Sequence, residues 1–120
     1  MKKAYRAAVI GCGMIAGRYE SLDSPEIYSH GKAYYENGKF SELAFYDKNP
    51  EFSRALATKF SGKSFETLYR LLSEFAPDVV SVCSPDDSHF PITMEILNSK
   101  PCPKLVFIEK PICTKLAELT

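Results

Sequence analysis

The chain has no excess of either charge: 15 Lys and Arg stand against 15 Asp and Glu in 120 residues. That balance argues against a nucleic-acid partner, which would need a basic surface to hold its phosphates. Long apolar runs are missing as well, so no segment reads as a membrane span and no membrane partner is expected. Met1-Lys2-Lys3 is followed by only a short apolar stretch before Gly11, too little for a secretory leader. Histidine is scarce, with only His30 and His89. The four cysteines, Cys12, Cys83, Cys102 and Cys113, contain no C-x-x-C pair. A zinc site is therefore not expected, and without an export signal neither is a disulfide framework. The reading is four reduced thiols in a cytoplasmic protein.

What is present is the composition of one globular domain, 45% hydrophobic and 25% charged. The length suits a single core. Ala4 to Ile10 forms an apolar run that stops at Gly11, as a strand buried on both faces would. Gly13 to Tyr19 can begin a helix, and Ser21-Leu22-Asp23-Ser24-Pro25 should interrupt it. Helix is expected again from His30 to Asn37, with Gly38 as its stop.

Leu43 to Tyr46 reads as a second strand. Asn49-Pro50 then supplies an N-cap and a first-turn proline. Phe52, Leu56 and Phe60 make one apolar stripe, and Gly62 is expected to end that helix. Ser64-Phe65 suggests a short third strand, and Thr67 to Phe75 a helix. Asp78 to Cys83 is a β-branched fourth strand. A helix using Ile92, Ile96 and Leu97 follows from about Ser88 to Ser99. Leu105 to Ile108 is the fifth strand, and Thr114 to Thr120 begins another helix. This alternation implies parallel β-α-β units wound into an α/β doubly wound sheet, a Rossmann fold of at least five strands.

Ligands in such sheets bind outside the carboxyl ends of the strands. Gly11-Cys12-Gly13-Met14-Ile15-Ala16 stands at such an end and has the form G-x-G-x-x-A. Gly11 permits the tight turn, Gly13 lets backbone approach a pyrophosphate, and Ala16 lets the helix pack on the strand. The free N–H groups of the helix start would face the anion. Asp47, at the end of the second strand, is the expected acceptor for the adenosine ribose hydroxyls. Its charge opposes a 2′-phosphate and so favours NAD over NADP. Lys48 and Arg54 lie close by in sequence and leave NADP open too. Asp47 falls 36 positions after Gly11, beyond the usual spacing of about 20. An insertion around Ser21 to Ser29 accounts for the excess.

With these residues the chain resembles the Gfo/Idh/MocA oxidoreductases, the glucose-fructose oxidoreductase and inositol dehydrogenase type. The resemblance rests on Val9-Ile10-Gly11-Cys12-Gly13-Met14-Ile15-Ala16, His30-x-x-Ala33-Tyr34, Ser84-Pro85-Asp86-x-x-His89 and Glu109-Lys110-Pro111. It implies hydride transfer between a nicotinamide and a carbinol or carbonyl of a sugar, cyclitol or sugar nucleotide. By resemblance, Lys110 is the catalytic lysine beside the nicotinamide and the reacting oxygen. Ser84, Pro85, Asp86 and His89 would surround the nicotinamide ribose and pyrophosphate, and Glu109 would line the nicotinamide end. Many members carry Asn where this chain has Asp86. Independently of the family, an ammonium at a strand end suits a developing alkoxide. His30 reads as a structural residue that positions the first helix.

The resemblance further implies a small-molecule, carbohydrate-like substrate, a homo-oligomer, and a C-terminal substrate and dimerisation domain for which this chain has no counterpart. The chain is thus expected to be a truncated Rossmann domain with little turnover alone and a tendency to self-associate. Two other functions share parts of the pattern: a non-catalytic NAD(H)-binding or redox-sensing module, and a methyltransferase. Glu109-Lys110-Pro111 speaks against the latter.

Overall fold

The computed structural model describes residues 4–13, 22, 29–84 and 86–108. Among the described residues five strands form one sheet: β1 Tyr5–Ile10, β2 Phe40–Tyr46, β3 Lys63–Phe65, β4 Val79–Val82 and β5 Leu105–Ile108. All neighbours pair in parallel, in the order β3-β2-β1-β4-β5. This is the doubly wound, Rossmann-like sheet expected from the alternation of strand and helix patterns. The order reverses at β1, so the crevice at the switch point opens between the carboxyl ends of β1 and β4.

Side chains alternate across the strands, and both faces of β1, β2 and β4 are covered, whereas Leu105 and Phe107 on β5 are exposed. Ala7 and Val9 join Leu43 and Phe45 on one face, under Tyr34, Leu56, Ala57 and Phe60. Ala8 and Ile10 join Ala44, Val80 and Val82 on the other, under Leu68, Leu71, Leu72, Phe75 and Ile96. The uninterrupted apolar run of β1 thus serves two cores at once.

Helix α1 spans His30–Glu36 and starts at Ser29, whose hydroxyl accepts the Lys32 N–H at 3.2 Å. It ends at Asn37, whose backbone is extended (φ −87°, ψ 116°). The Asn37 side chain accepts the Lys39 N–H at 2.9 Å, a local turn that competes with continued helix. Gly38 stays outside the left-handed region, so it is not the stop that the sequence suggested.

Helix α2, Pro50–Lys59, has Asn49 as its N-cap, Pro50 in its first turn, Glu51 near its start and Lys59 near its end. All four agree with the capping and dipole rules. Its stop also differs from expectation. Ser61 takes the left-handed position (φ 57°), and the Gly62 N–H closes back on the Ala57 carbonyl at 2.8 Å. Gly62 is required for another reason: a Cβ there would lie 2.7 Å from the Leu43 carbonyl oxygen and 2.8 Å from the Phe45 ring.

Helix α3, Leu68–Arg70, is capped by Thr67 and continues as a π-helical turn over Leu71–Phe75. That wider turn closes with the Ala76 N–H on the Leu71 carbonyl at 3.2 Å. A 3-10 turn, Asp86–Ser88, leads into α4, His89–Leu97. Ile96 carries the packing of α4, with Ile92 partly buried beside it. Leu97, expected in the core, is 53% exposed, because it lies one position round the helix from Ile96. Among the described residues no helix is long and apolar enough to cross a membrane.

Candidate functional site

The first turn after β1 is fitted tightly to its neighbours. The Gly11 N–H donates to the Tyr46 carbonyl at 2.7 Å, and the Cys83 N–H donates to the Ile10 carbonyl at 2.7 Å. Gly11 has φ +89°. A Cβ there would lie 2.5 Å from Ser84 Cα and 2.7 Å from the Cys83 carbonyl carbon, and would also strike the Ser84 nitrogen. No L-residue side chain has room between the ends of β1 and β4. Gly13 differs. A Cβ on it would meet no described atom within 4 Å, so its lack of a side chain leaves the backbone bare toward open space.

Asp47 lies far from this turn in sequence but reaches it in space. Its Oδ2 accepts the Cys12 N–H at 2.7 Å, and its Oδ1 accepts the Asn49 N–H at 2.7 Å. Hydrogen bonds to a charged acceptor are short and strong. The carboxylate therefore links the glycine turn to the start of α2. Each oxygen keeps lone-pair capacity for a further donor, such as a ribose hydroxyl. Lys48 is exposed beside it.

Cys12 is buried and its thiol donates to the Tyr46 carbonyl at 3.4 Å. Burial pushes the thiol pKa far up, and the neighbouring Asp47 and Cys83 push the same way. It is a protonated packing residue, not a nucleophile. Tyr46 is raised too, through burial and then the charges of Glu95 and Asp47.

The turn after β4 is anchored to the next helix. Ser88 Oγ donates to Ser84 Oγ at 2.7 Å, and His89 Nε2 bonds the Ser84 carbonyl at 2.7 Å. Asp86 opens the 3-10 turn between them. Gly11, Cys12, Gly13, Asp47, Ser84 and His89 thus gather at the carboxyl ends of β1, β2 and β4. Met14, Ile15, Ala16, Pro85, Glu109, Lys110 and Pro111 lie outside the described residues.

One constellation had no counterpart in the sequence reading. Ser81, fully buried in β4, bonds Tyr34 Oη at 2.6 Å and His30 Nδ1 at 2.8 Å. It ties α1 to β4. Burial raises the Tyr34 phenol pKa, although the Ser81 bond works in the opposite direction. The available signal was a lone hydroxyl inside Val79-Val80-Ser81-Val82, an otherwise apolar strand.

Residues 5–120 match the Gfo/Idh/MocA family model, described as an oxidoreductase family with an NAD-binding Rossmann fold. The chain belongs to this family. NAD is accordingly its cofactor, and the open backbone at Gly13 beside the Asp47 carboxylate fits that molecule. A comparison with curated protein sequences finds no match.

Several solved structures share the fold. GenD2 from gentamicin A biosynthesis, in complex with NAD, superposes with a TM-score of 0.78 at 21% identity, over 97% of this chain and 29% of that one. The WlbA dehydrogenase from Bordetella pertussis, in complex with NADH and UDP-GlcNAcA, gives 0.77 at 23% identity, over 98% of this chain and 30% of that one. Myo-inositol 2-dehydrogenase from Lactobacillus plantarum gives 0.75 at 18% identity, over 98% and 31%. The chain therefore spans about three-tenths of the length of these relatives.

Proposed function

We propose that the chain is the cofactor-binding part of a dehydrogenase or reductase. That enzyme moves a hydride between a nicotinamide and a carbinol or carbonyl of a sugar, cyclitol or sugar nucleotide. The observation that carries this reading is the bond from Asp47 to the Cys12 N–H. It brings an acidic residue to a glycine turn 36 positions earlier in the chain, the pair that a dinucleotide's ribose and pyrophosphate require. NAD, bound there, supplies the hydride acceptor or donor. Gly11 and Cys12, whose N–H groups are held by Tyr46 and Asp47, fix the turn, Gly13 lets the pyrophosphate approach its backbone, Asp47 accepts from the ribose hydroxyls, and Ser84 forms the facing wall.

The family resemblance supplies Lys110 as the group that hydrogen-bonds the reacting oxygen and Glu109 as its neighbour at the nicotinamide end. The relatives support the substrate class: one is in complex with UDP-GlcNAcA, and another is a myo-inositol 2-dehydrogenase. A cytoplasmic homo-oligomer with a separate substrate domain belongs to the same reading.

The test is a fluorescence titration with NADH on the wild-type chain and on Gly13→Ala. Saturable binding is expected for the wild type. The methyl of Gly13→Ala should stand where the pyrophosphate approaches and weaken binding about tenfold or more, with unchanged melting temperature. Absence of saturation by wild type at millimolar NADH, or equal affinity of the variant, would count against the proposal.

A further inference from the structure

We infer that His89 is a positioning residue for the cofactor: it holds the Ser84 turn against Gly11 and so sets the width of the crevice without touching the ligand. The inference rests on the NAD-binding reading above and deepens it. Three observations lead to it.

The first is the burial of the ring. His89 is 1% exposed, so it has almost no surface to present to a bound molecule. Its effect on a ligand must pass through what it holds.

The second is the position of Ser84. Strand pairing of β4 ends at Val82, which faces Ile10 on one side and Ile108 on the other. Ser84 lies beyond that ladder, and its carbonyl needs a donor from elsewhere. His89 Nε2 lies 2.7 Å away. A carbonyl only accepts, so Nε2 carries the hydrogen and the ring is fixed in that tautomer. The hydroxyl of Ser88 donates to Ser84 Oγ at 2.7 Å. The start of α4 therefore grips the turn at both its backbone and its side chain.

The third is what Ser84 touches. Its Cα is within 2.5 Å of where a Gly11 Cβ would be. The two turns are in contact with no slack, and close-packed protein passes small displacements on to its neighbours. Releasing Ser84 would let it drift either toward Gly11, crowding the glycine turn, or away from it, widening the gap. Either shift displaces the Gly11–Gly13 turn whose bare backbone at Gly13 the diphosphate would approach.

The experiment compares four proteins in NADH titrations well below their melting temperatures. They are the wild type, His89→Leu, His89→Gln and Phe75→Leu. Leucine fills much of the space and has no donor, while the glutamine amide can stand in for Nε2. Phe75→Leu weakens the core near Arg6, at the opposite rim of the sheet, and serves as a control for general destabilisation. We expect the dissociation constant of His89→Leu to rise about tenfold. Glutamine should restore it to within about threefold of wild type, and Phe75→Leu should lower the melting temperature while leaving affinity unchanged.

Wild-type affinity in folded His89→Leu overturns the inference. So does a glutamine variant as weak as the leucine one, or a loss of affinity in Phe75→Leu equal to that of His89→Leu. If His89→Leu does not fold, Ser88→Ala removes the companion bond. It should then weaken NADH about threefold, and wild-type affinity there overturns the inference instead. A wild-type protein that fails to bind NADH refutes the NAD-binding reading itself, so the two failures stay distinguishable.

Discussion

Replacing Gly11 by alanine is the sharpest perturbation available, because two independent costs act on one methyl group. The backbone at Gly11 has φ +89°, where an L-residue is less favourable than glycine by about 1–2 kcal/mol. The added Cβ would also lie 2.5 Å from Ser84 Cα and 2.7 Å from the Cys83 carbonyl carbon. Both are backbone atoms, so they cannot swing aside as the end of a flexible side chain would. Overpacking of this kind costs about 1–3 kcal/mol. Together the destabilisation should be about 2–5 kcal/mol. For a domain of this size that lowers the melting temperature by roughly 8–20 °C. Thermal unfolding followed by circular dichroism measures it, with Gly38→Ala as the control. A Cβ at Gly38 meets nothing within 4 Å, so that variant should stay within about 0.5 kcal/mol of wild type. A Gly11→Ala protein melting within a degree or two of wild type would refute the claim that β1 and β4 meet without room for a methyl group.

Asp47→Asn should weaken NADH and narrow the preference over NADPH by about tenfold, since a neutral amide no longer repels the added phosphate; an unchanged ratio of the two dissociation constants would show that Asp47 does not set it. Ser81→Ala leaves the buried Tyr34 hydroxyl without its 2.6 Å partner and should cost about 1–3 kcal/mol in chemical denaturation, and a neutral result would deny the link between α1 and β4 any role in stability. The third expectation concerns pH. Burial raises Cys12 and Tyr34 in the fold, whereas in the unfolded chain a thiol ionises near pH 8.5 and a phenol near 10. Above about pH 8.5 the folded state therefore binds more protons than the unfolded one, and stability falls as pH rises. It is fully present below that value. Melting temperatures measured from pH 7 to 10 should drop above 8.5, and less steeply in Cys12→Ala; a flat profile in the wild type would contradict the burial of these groups.

The parts of the fold that were legible in the sequence are those set by local periodicity. The apolar run of β1, the β-branched run of β4 and the Asn49-Pro50 start of α2 each announce themselves within a few residues. Helix ends were harder. Gly38 and Gly62 both look like stops, yet Asn37 and Ser61 do the stopping. A side-chain turn outcompetes glycine at the first, and at the second the glycine is needed for its closeness to β2. Leu97 misled for a related reason, since a helix face one residue wide cannot be located from composition alone. At the candidate site, motif and strand position single out Gly11 and Asp47. The bonds that make them one unit were not legible, because the Asp47 to Cys12 contact depends on β1 and β2 lying side by side. Ser81 stayed hidden because its partners are 51 and 47 positions away.

The hydroxyl of Ser81 behaves like a rivet through an otherwise greasy joint. Apolar contacts have no direction of their own, whereas a hydrogen bond fixes both distance and angle. A hydroxyl shared between Tyr34 and His30 permits a single seating. The seating of α1 over the sheet is thereby keyed to β4.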